Sequence, residues 1–146
     1  MSHTNLVHYA AAITERLAIK EDKIPRFAHV TTLAADLGHT AIFPMLLVGG
    51  CICVAPYHIA RDPISFWTWT EQNNINYIKT TPSHFQALMQ GAPNNRVMID
   101  KLILGGESLG LTLANKILTQ GYARQLINHY GPSETTIGVC CPLPLS

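Results

Sequence analysis

Short apolar runs alternate with segments of helical length along most of this chain. The apolar runs cover residues 26–32, 51–55, 77–80, 102–104 and 125–129, and the helical segments cover 37–48, 63–73, 82–90 and 112–120. Strands separated by helices favour a mainly parallel sheet, because each parallel connection has to cross back over the sheet. We therefore predict an α/β fold with a mainly parallel sheet and helices on both of its faces.

The carboxyl ends of these predicted strands carry residues suited to a binding site. Thr80, Gly105 and Tyr130 fall where three of the strands end. Ligands of open parallel sheets bind beyond the carboxyl ends of the strands. We therefore expect the functional site at this edge of the sheet.

The charge of the chain narrows the classes of partner. Charged residues make up 13% of the sequence and the net charge is +1, whereas an average globular domain has about 25% charged residues. The low charge indicates either faces built to pack against other segments or a somewhat apolar soluble domain. The absence of a basic excess argues against nucleic acid or an anionic membrane as the main partner.

The apolar runs and the cysteines point to a cytoplasmic protein. The longest apolar run, residues 41–56, is interrupted by Pro44, Gly49 and Gly50, and the N-terminus lacks the pattern of a signal peptide. The four cysteines occur as Cys-x-Cys at 51–53 and as an adjacent pair at 140–141, and neither spacing is typical of a metal site. We interpret them as core thiols in a reducing compartment.

The most specific motif is the stretch 126–136, which reads LINHYGPSETT. An apolar strand leads through Tyr130 into a Gly-Pro turn that ends on Ser133 and Glu134. An aromatic ring can stack on a purine, backbone amides of a turn can approach a phosphate, and a carboxylate is a ligand for Mg²⁺. The alternative is a plain strand-to-helix turn in which Ser133 or Glu134 caps the helix.

This stretch closely resembles the fifth core motif of nonribosomal peptide synthetase adenylation domains, N-x-Y-G-P-T-E, with Ser133 as the one departure. Three further segments are similar to motifs of the same family, in the same order. Residues 105–107 match its G-G-E element, residues 32–50 resemble its fourth motif with Ala35 in place of the usual aromatic, and residues 2–7 resemble the tail of its third motif. The resemblance implies that the predicted sheet is part of the large N-terminal subdomain of an adenylate-forming enzyme.

The resemblance also implies a nucleotide site that uses ATP and Mg²⁺. Catalytic roles fall on Ser133 and Glu134, and Glu134 is the implied Mg²⁺ ligand. The implied nucleotide-binding residues are Gly105, Gly106, Glu107, Asn128, Tyr130 and Gly131. Three of them have a plainer alternative: Tyr130 as a core aromatic, Asn128 as a strand end, and Glu107 as a cap of the helix that follows it.

A substrate pocket is implied at fixed offsets from these motifs. Its residues are Asp36, Leu37, Thr40, Lys79, Ile103, Gly105, His129, Ile137 and Gly138. In the family, the acid at Asp36 pairs with the substrate α-ammonium, and Thr40 follows one helical turn later. The set resembles the family's pattern for L-aspartate or a hydroxylated aspartate, whereas the asparagine pattern carries Glu at the position of His129. The alternative is that Lys79 extends to solvent and His129 is an ordinary core histidine.

The implied parent reaction joins L-aspartate and ATP into aspartyl-adenylate and passes the acyl group to phosphopantetheine on a carrier domain. Peptidyl carrier and condensation domains of the same synthetase are the implied partners. Residues 1–146 would form a partial AMP-binding domain, from the end of the phosphate-loop motif to just past 128–134, and we expect no turnover by this chain alone. The alternatives are an acyl- or aryl-CoA ligase of the same superfamily and a non-catalytic binding module.

Overall fold

A computed structural model describes residues 2–19, 24–31, 36–96, 99–130 and 139–142, with side chains described for all of these except 36, 37, 130 and 139–142. The described strands are β1 (Arg26–His29), β2 (Cys51–Val54), β3 (Tyr77–Thr80), β4 (Ile99–Gly105), β5 (Ala123–Tyr130) and β6 (Val139–Pro142). The described helices are α1 (His3–Arg16), α2 (Asp36–Val48), α3 (Tyr57–Arg61), α4 (Pro63–Gln72), α5 (Pro82–Leu88) and α6 (Leu111–Thr119).

The six described strands form one sheet in the order β2-β1-β3-β4-β5-β6. The neighbours from β2 to β5 are parallel, and β6 pairs antiparallel with β5. The predicted α/β fold with a mainly parallel sheet is therefore confirmed. The antiparallel edge strand β6 was not predicted from the sequence.

Helices cover both faces of the sheet, as predicted. On one face, side chains of α1 and α2 form a core with alternate residues of the central strands, including Phe27, Tyr77, Ile103 and Ile127. On the other face, side chains of α4, α5 and α6 form a larger core with Ile78, Leu102, Leu104 and Leu126 among others. Successive strand residues point to opposite faces, so one strand supplies both cores.

Local capping explains where two of the helices begin. The Asp62 carboxylate accepts from the backbone N–H of Ser65 at 2.7 Å, and Pro63 occupies the first turn of α4. Thr81 caps α5 in the same way, again with a proline next. A short polar cap followed by proline favours helix initiation, and both starts were predicted from the sequence.

Two described helices were not predicted from the sequence. The helix α1 begins after Ser2, whose hydroxyl accepts from the backbone N–H of Asn5 at 3.2 Å. The helix α3 is five residues long and follows Pro56. The spacing of Tyr9, Ile13 and Leu17 by four residues is typical of a helix and indicates α1. Residues 2–7 were interpreted only as a motif, so this helix was not predicted. Within the described residues, no helix is both long and apolar enough to cross a membrane.

Candidate functional site

The predicted site edge is where three parallel strands end. Thr80, Gly105 and Tyr130 are the last residues of β3, β4 and β5. Lys79 pairs in register with Ile103, and Gly105 pairs with His129. Lys79, Ile103 and His129 are each buried and share the face of the sheet covered by α1 and α2. The structure therefore brings together the described part of the predicted substrate pocket.

Lys79 is buried in the strand rather than extended to solvent. Its side chain is 3% exposed, and its Nζ donates to the Oγ1 of Thr40 at 2.5 Å. Thr40 is fully buried on α2, and all four residues of β3 are buried. The alternative of a solvated lysine is therefore wrong, because α2 closes over the strand at this position. A buried ammonium is rare and requires polar or charged surroundings.

Tyr9 joins this cluster from α1. Its hydroxyl lies 2.7 Å from the Oγ1 of Thr40 and 3.3 Å from the Nε2 of His129. Hydrogen bonds therefore run from Lys79 through Thr40 and Tyr9 to His129, and we call these four residues the polar chain. A buried tyrosine normally finds a partner for its hydroxyl, and this was the signal in the sequence that could have identified Tyr9.

The electrostatics of the polar chain keep His129 neutral. Burial and, to a smaller extent, the nearby charge of Lys79 together lower the pKa of His129 to about 4. The imidazole is therefore uncharged at neutral pH, although the Lys79 ammonium lies nearby. His129 thus offers one ring nitrogen as a donor and the other as an acceptor.

Gly105 makes room for the His129 ring. A Cβ built on Gly105 would lie 2.7 Å from the backbone oxygen of His129 and 3.4 Å from Nδ1. The first distance is too short for a side chain, so glycine is required where β4 and β5 approach. The next residue, Gly106, has φ of 82°, a conformation that favours glycine.

His29 is a second residue of this face that sequence analysis missed. It pairs in register with Lys79, ends β1 and is 3% exposed. Burial lowers the pKa of His29 from its ordinary value. A Cβ on Gly38 would lie 2.5 Å from its Cε1, so the glycine of α2 lets the helix cover His29. The register of His29 with Lys79 would have identified His29 as part of this face. That register becomes known only when the strand pairing is known.

Glu107 contacts the N-terminus of α5, whereas the alternative given above places it at the start of α6. Its carboxylate accepts from the backbone N–H of Ser83 at 3.1 Å and from the Ser83 hydroxyl at 2.8 Å. These bonds lower the pKa of Glu107. The alternative that Glu107 caps the helix following it is wrong, because α6 begins at Leu111 after Gly110 and has no side-chain cap. Glu107 instead ties the loop after β4 to the N-terminus of α5.

Asn128 lies on the opposite face of β5 from His129. It pairs with Leu104, whose side chain belongs to the core under α4, α5 and α6. The predicted nucleotide and substrate groups on this strand are thus separated onto two faces. The remaining predicted residues are outside the description: Gly131, Ser133, Glu134, Ile137 and Gly138 in full, and Asp36, Leu37 and Tyr130 beyond their backbone.

A groove of about 760 Å³ opens at the carboxyl ends of β1 and β2. Its described lining is Val30, Thr31, Ala55, Tyr57, Ala60, Arg61, Ser83, His84 and Ala87. None of these residues was predicted to bind substrate. Both ring nitrogens of His84 are occupied, by Thr80 at 2.8 Å and by the carbonyl oxygen of Ala60 at 2.7 Å, so this side chain holds the fold together locally.

The described residues contain no group of three or more side chains arranged to hold a metal ion. Cys51 and Cys53 place their sulfur atoms 3.6 Å apart on β2, and burial raises the pKa of Cys53 to about 11. A thiol of such high pKa is protonated and unreactive at neutral pH. The interpretation as core thiols agrees with the structure for Cys53, which is buried, and in part for Cys51, which is partly buried against the same core.

Curated relatives of the chain are large peptide synthetases. It is 30% identical over 142 residues to surfactin synthase subunit 2 of Bacillus subtilis (strain 168), a match that covers 94% of this chain and 4% of that protein. It is 30% identical over 140 residues to bacitracin synthase 3 of Bacillus licheniformis, covering 93% of this chain and 2% of that protein. The chain therefore spans a small part of the length of these relatives.

Solved structures share the fold. A four-domain nonribosomal peptide synthetase bound to AMP and glycine matches 99% of this chain and 11% of its own, with a TM-score of 0.85 and 23% identity. The Vibrio cholerae adenylation domain AlmE, in complex with glycyl-adenosine-5'-phosphate, matches 97% of this chain and 26% of its own, with a TM-score of 0.82 and 23% identity. The family model for AMP-binding enzymes matches residues 1–146, and the chain therefore belongs to the AMP-binding enzyme family.

Proposed function

We propose that this chain is the central part of a nonribosomal peptide synthetase adenylation domain that activates L-aspartate, or a hydroxylated aspartate, with ATP. The relatives are peptide synthetases, and the chain spans only 4% and 2% of the two described above. In this proposal residues 1–146 form a partial AMP-binding domain. The observation that carries the choice of substrate is the buried ammonium of Lys79 within the polar chain.

The surroundings of Lys79 favour an anionic side chain on the substrate. The ammonium already donates to a fully buried hydroxyl, that of Thr40, and a neutral imidazole completes the same cluster. A carboxylate brought next to an ammonium in a buried site gains a strong charge-assisted hydrogen bond. A neutral or apolar substrate side chain would gain no such bond. The pocket geometry therefore supports aspartate over uncharged amino acids.

The site edge offers groups that fit a nucleotide. The turn at Gly105 and Gly106 has no side chains and a positive φ at Gly106, so its backbone can approach a ligand closely. Asn128 offers an amide on the neighbouring strand, and the proposal adds Glu107, Tyr130 and Gly131. For Mg²⁺ the proposed ligand is Glu134, whose carboxylate is the hard oxygen donor that this ion prefers. Ser133, the preceding residue in the sequence, has the other proposed catalytic role.

The proposed chemistry is attack by the substrate α-carboxylate on the α-phosphorus of ATP, which forms aspartyl-adenylate and releases pyrophosphate. Catalysis of this step is mainly positioning of the two reactants and neutralisation of negative charge. Asp36 would hold the α-ammonium, with Leu37, Thr40, Ile103, Ile137 and Gly138 around the side chain. Phosphopantetheine on a peptidyl carrier domain then accepts the acyl group, and a condensation domain uses it.

Pyrophosphate exchange with a panel of amino acids, measured on the full-length protein, tests the assignment. We expect exchange with L-aspartate and its loss in Lys79→Met, with the fold retained. Lys101→Met is the matched control, because Lys101 lies on the neighbouring strand and donates to Gln125 at 2.6 Å, outside the polar chain. Full aspartate exchange in Lys79→Met would refute aspartate as the substrate. Thioester formation on free coenzyme A instead of a carrier domain would indicate an acyl-CoA ligase.

A second variant tests the role of His129. His129→Glu replaces a donor with an acceptor, so we expect preference to move from aspartate toward asparagine. One charged hydrogen bond is worth about 1.5–3 kcal/mol, which corresponds to roughly 10- to 150-fold in preference. An unchanged aspartate-to-asparagine ratio would place His129 outside the pocket.

A further inference from the structure

We propose that Cys51 and Cys53 form a two-thiolate site for a soft monovalent metal ion, Cu(I). Both residues lie on β2, an outer strand of the described sheet, and their side chains pack on the face opposite the polar chain. Neither cysteine has a part in the proposed function. The inference therefore goes beyond that function and does not depend on its substrate.

The two sulfur atoms are close enough to bind one ion together. Residues two apart in a strand place their side chains on the same face, and the Sγ atoms of Cys51 and Cys53 are 3.6 Å apart. Two metal–thiolate bonds of about 2.3 Å that enclose an angle of about 110–120° separate their sulfur atoms by roughly 3.8–4.0 Å. The observed separation is slightly shorter, so a small rotation of one side chain completes the site.

A disulfide between the same two residues fits the strand less well. A disulfide brings the sulfur atoms to about 2.0 Å and prefers Cα atoms about 5.5–6 Å apart. Alternate residues of an extended strand have Cα atoms about 6.4–6.8 Å apart, at the upper end of the range that a disulfide tolerates. Binding of one ion by both thiolates therefore requires less rearrangement of β2 than oxidation does.

The number of ligands and their position suit Cu(I) better than Zn²⁺. Thiolates are soft ligands, which select Cu(I) among other ions. Structural zinc sites use four protein ligands, whereas in the part of the chain that the structure describes no third cysteine, histidine or carboxylate joins the pair. Cys51 is only partly buried, and β2 is the outermost described strand on its side of the sheet. An ion can therefore reach Cys51 from this edge and then engage Cys53, which is 8% exposed.

The charge of Arg26 beside the sulfur atoms favours a monovalent ion. Arg26 pairs in register with Cys51. Burial and Cys51 raise the pKa of Cys53, and the Arg26 guanidinium acts in the opposite direction by favouring its thiolate. The guanidinium Nε also donates to the Asn73 carbonyl, which holds this side chain in place.

Binding exchanges protons for the ion without a change of oxidation state. A coordinated thiol loses its proton, so one Cu(I) and two thiols give a bis-thiolate complex of charge −1 and release two protons to solvent. The Arg26 guanidinium balances that charge. A divalent ion would give a neutral complex and leave the guanidinium without a counter-charge.

The experiment titrates the reduced full-length protein with Cu(I) at pH 7 without oxygen, in competition with bathocuproine disulfonate, a colorimetric Cu(I) chelator. Wild type is compared with Cys51→Ser, Cys53→Ser and Cys140→Ser. Cys140 is the matched control, because it lies on β6 at the other end of the strand order. We expect Cys51→Ser and Cys53→Ser each to bind one Cu(I) fewer than wild type, and Cys140→Ser to bind as many. X-ray absorption should show two sulfur ligands on that ion.

Equal Cu(I) binding by wild type and Cys51→Ser would overturn the inference. Circular dichroism checks that each variant is folded, and the partly exposed Cys51 keeps the test decisive if Cys53→Ser unfolds. Loss of Cu(I) in only one of two folded variants would show that the ion is not shared.

Arg26→Met tests the charge argument. We expect its affinity for Cu(I) to fall by about three- to tenfold and its affinity for Zn²⁺ not to fall. Unchanged Cu(I) affinity would refute the role of Arg26. Because these measurements count bound metal and use no amino acid or ATP, their outcome is separate from that of the proposed function.

Discussion

The two faces of the sheet have different side-chain chemistry. Under α4, α5 and α6 lies an apolar core with a cluster of aromatic rings, in which Phe85 and Tyr122 have centroids 6.0 Å apart. Under α1 and α2 the core continues with Phe27 and Tyr77, but near the carboxyl ends of the strands it gives way to buried polar groups.

We expect the face under α4, α5 and α6 to contribute most of the stability, and the face under α1 and α2 to carry the proposed site. Among the described residues, the face under α4, α5 and α6, which we call the aromatic face, buries no lysine or histidine. Its contribution is therefore mainly packing and transfer of apolar groups from water. The face under α1 and α2, which we call the polar face, buries Lys79, His29 and His129. Desolvation of these groups costs free energy that hydrogen bonds only partly offset. This cost is what the proposed function explains, because a ligand bound there would offer partners to these groups. Four predictions test the contrast, in order of the expected change in the free energy of unfolding.

The largest effect is expected on the aromatic face. Phe85 is fully buried and contacts Trp67 and Tyr122 edge to face. Phe85→Ala should lower the free energy of unfolding by about 3–5 kcal/mol, because it leaves a cavity that neighbouring rings fill only in part. Urea unfolding of wild type and variant measures this loss. A loss below about 1 kcal/mol would show that this face is not the main source of stability.

Lowering the pH should decrease the free energy of unfolding, because His129 on the polar face is uncharged in the folded protein. The pKa of His129 is about 4 in the folded protein and about 6.5 when unfolded. Between these values the unfolded chain binds the proton first, so stability is complete above pH 6.5 and falls as the pH drops toward 4. The slope from this one group is about 1.4 kcal/mol per pH unit.

Urea unfolding at several pH values, for wild type beside His129→Gln, isolates this contribution from that of other groups. We expect a shallower dependence in the variant between pH 6.5 and 4. Identical slopes in both proteins would mean that His129 is accessible to protons in the folded state.

A smaller loss is expected where the two central strands meet at the site. Gly105→Ala would place a Cβ 2.7 Å from the backbone oxygen of His129, and crowding of this kind costs about 1–3 kcal/mol. Gly110→Ala is the control, since a Cβ there meets no atom within 4 Å. The comparison is made by thermal melting. Equal melting temperatures for the two variants would contradict the close approach of β4 and β5.

The smallest change in stability is expected at Lys79, where we expect a large change in activity. Replacement of a buried charge by an apolar group of similar length is often neutral or stabilising. Lys79→Met should therefore leave the free energy of unfolding unchanged or raise it by about 1 kcal/mol. Denaturation measured alongside pyrophosphate exchange checks both. A loss of more than about 2 kcal/mol would make Lys79 a structural residue and remove the contrast between the faces.

Much of the architecture could be predicted because its signals are local. The strand 77–80 is bounded as predicted, and α4 and α5 begin where a cap and a proline are adjacent in sequence. The segments missed have weaker local signals: α3 has five residues, and β6 is defined by its pairing with β5. The helix α1 was missed for a different reason, because its first residues were interpreted only as a motif.

The sequence by itself determined the alternation of strands and helices, the edge of the sheet at which the proposed site lies, and the presence of a lysine in a buried strand. These follow from apolar periodicity and from glycines and caps, which act within a few residues. Only the tertiary structure decided that the Lys79 ammonium meets Thr40 and that Tyr9 meets His129. Such contacts depend on strand register and on how two helices lie across the sheet, which are set by packing between segments far apart in the chain.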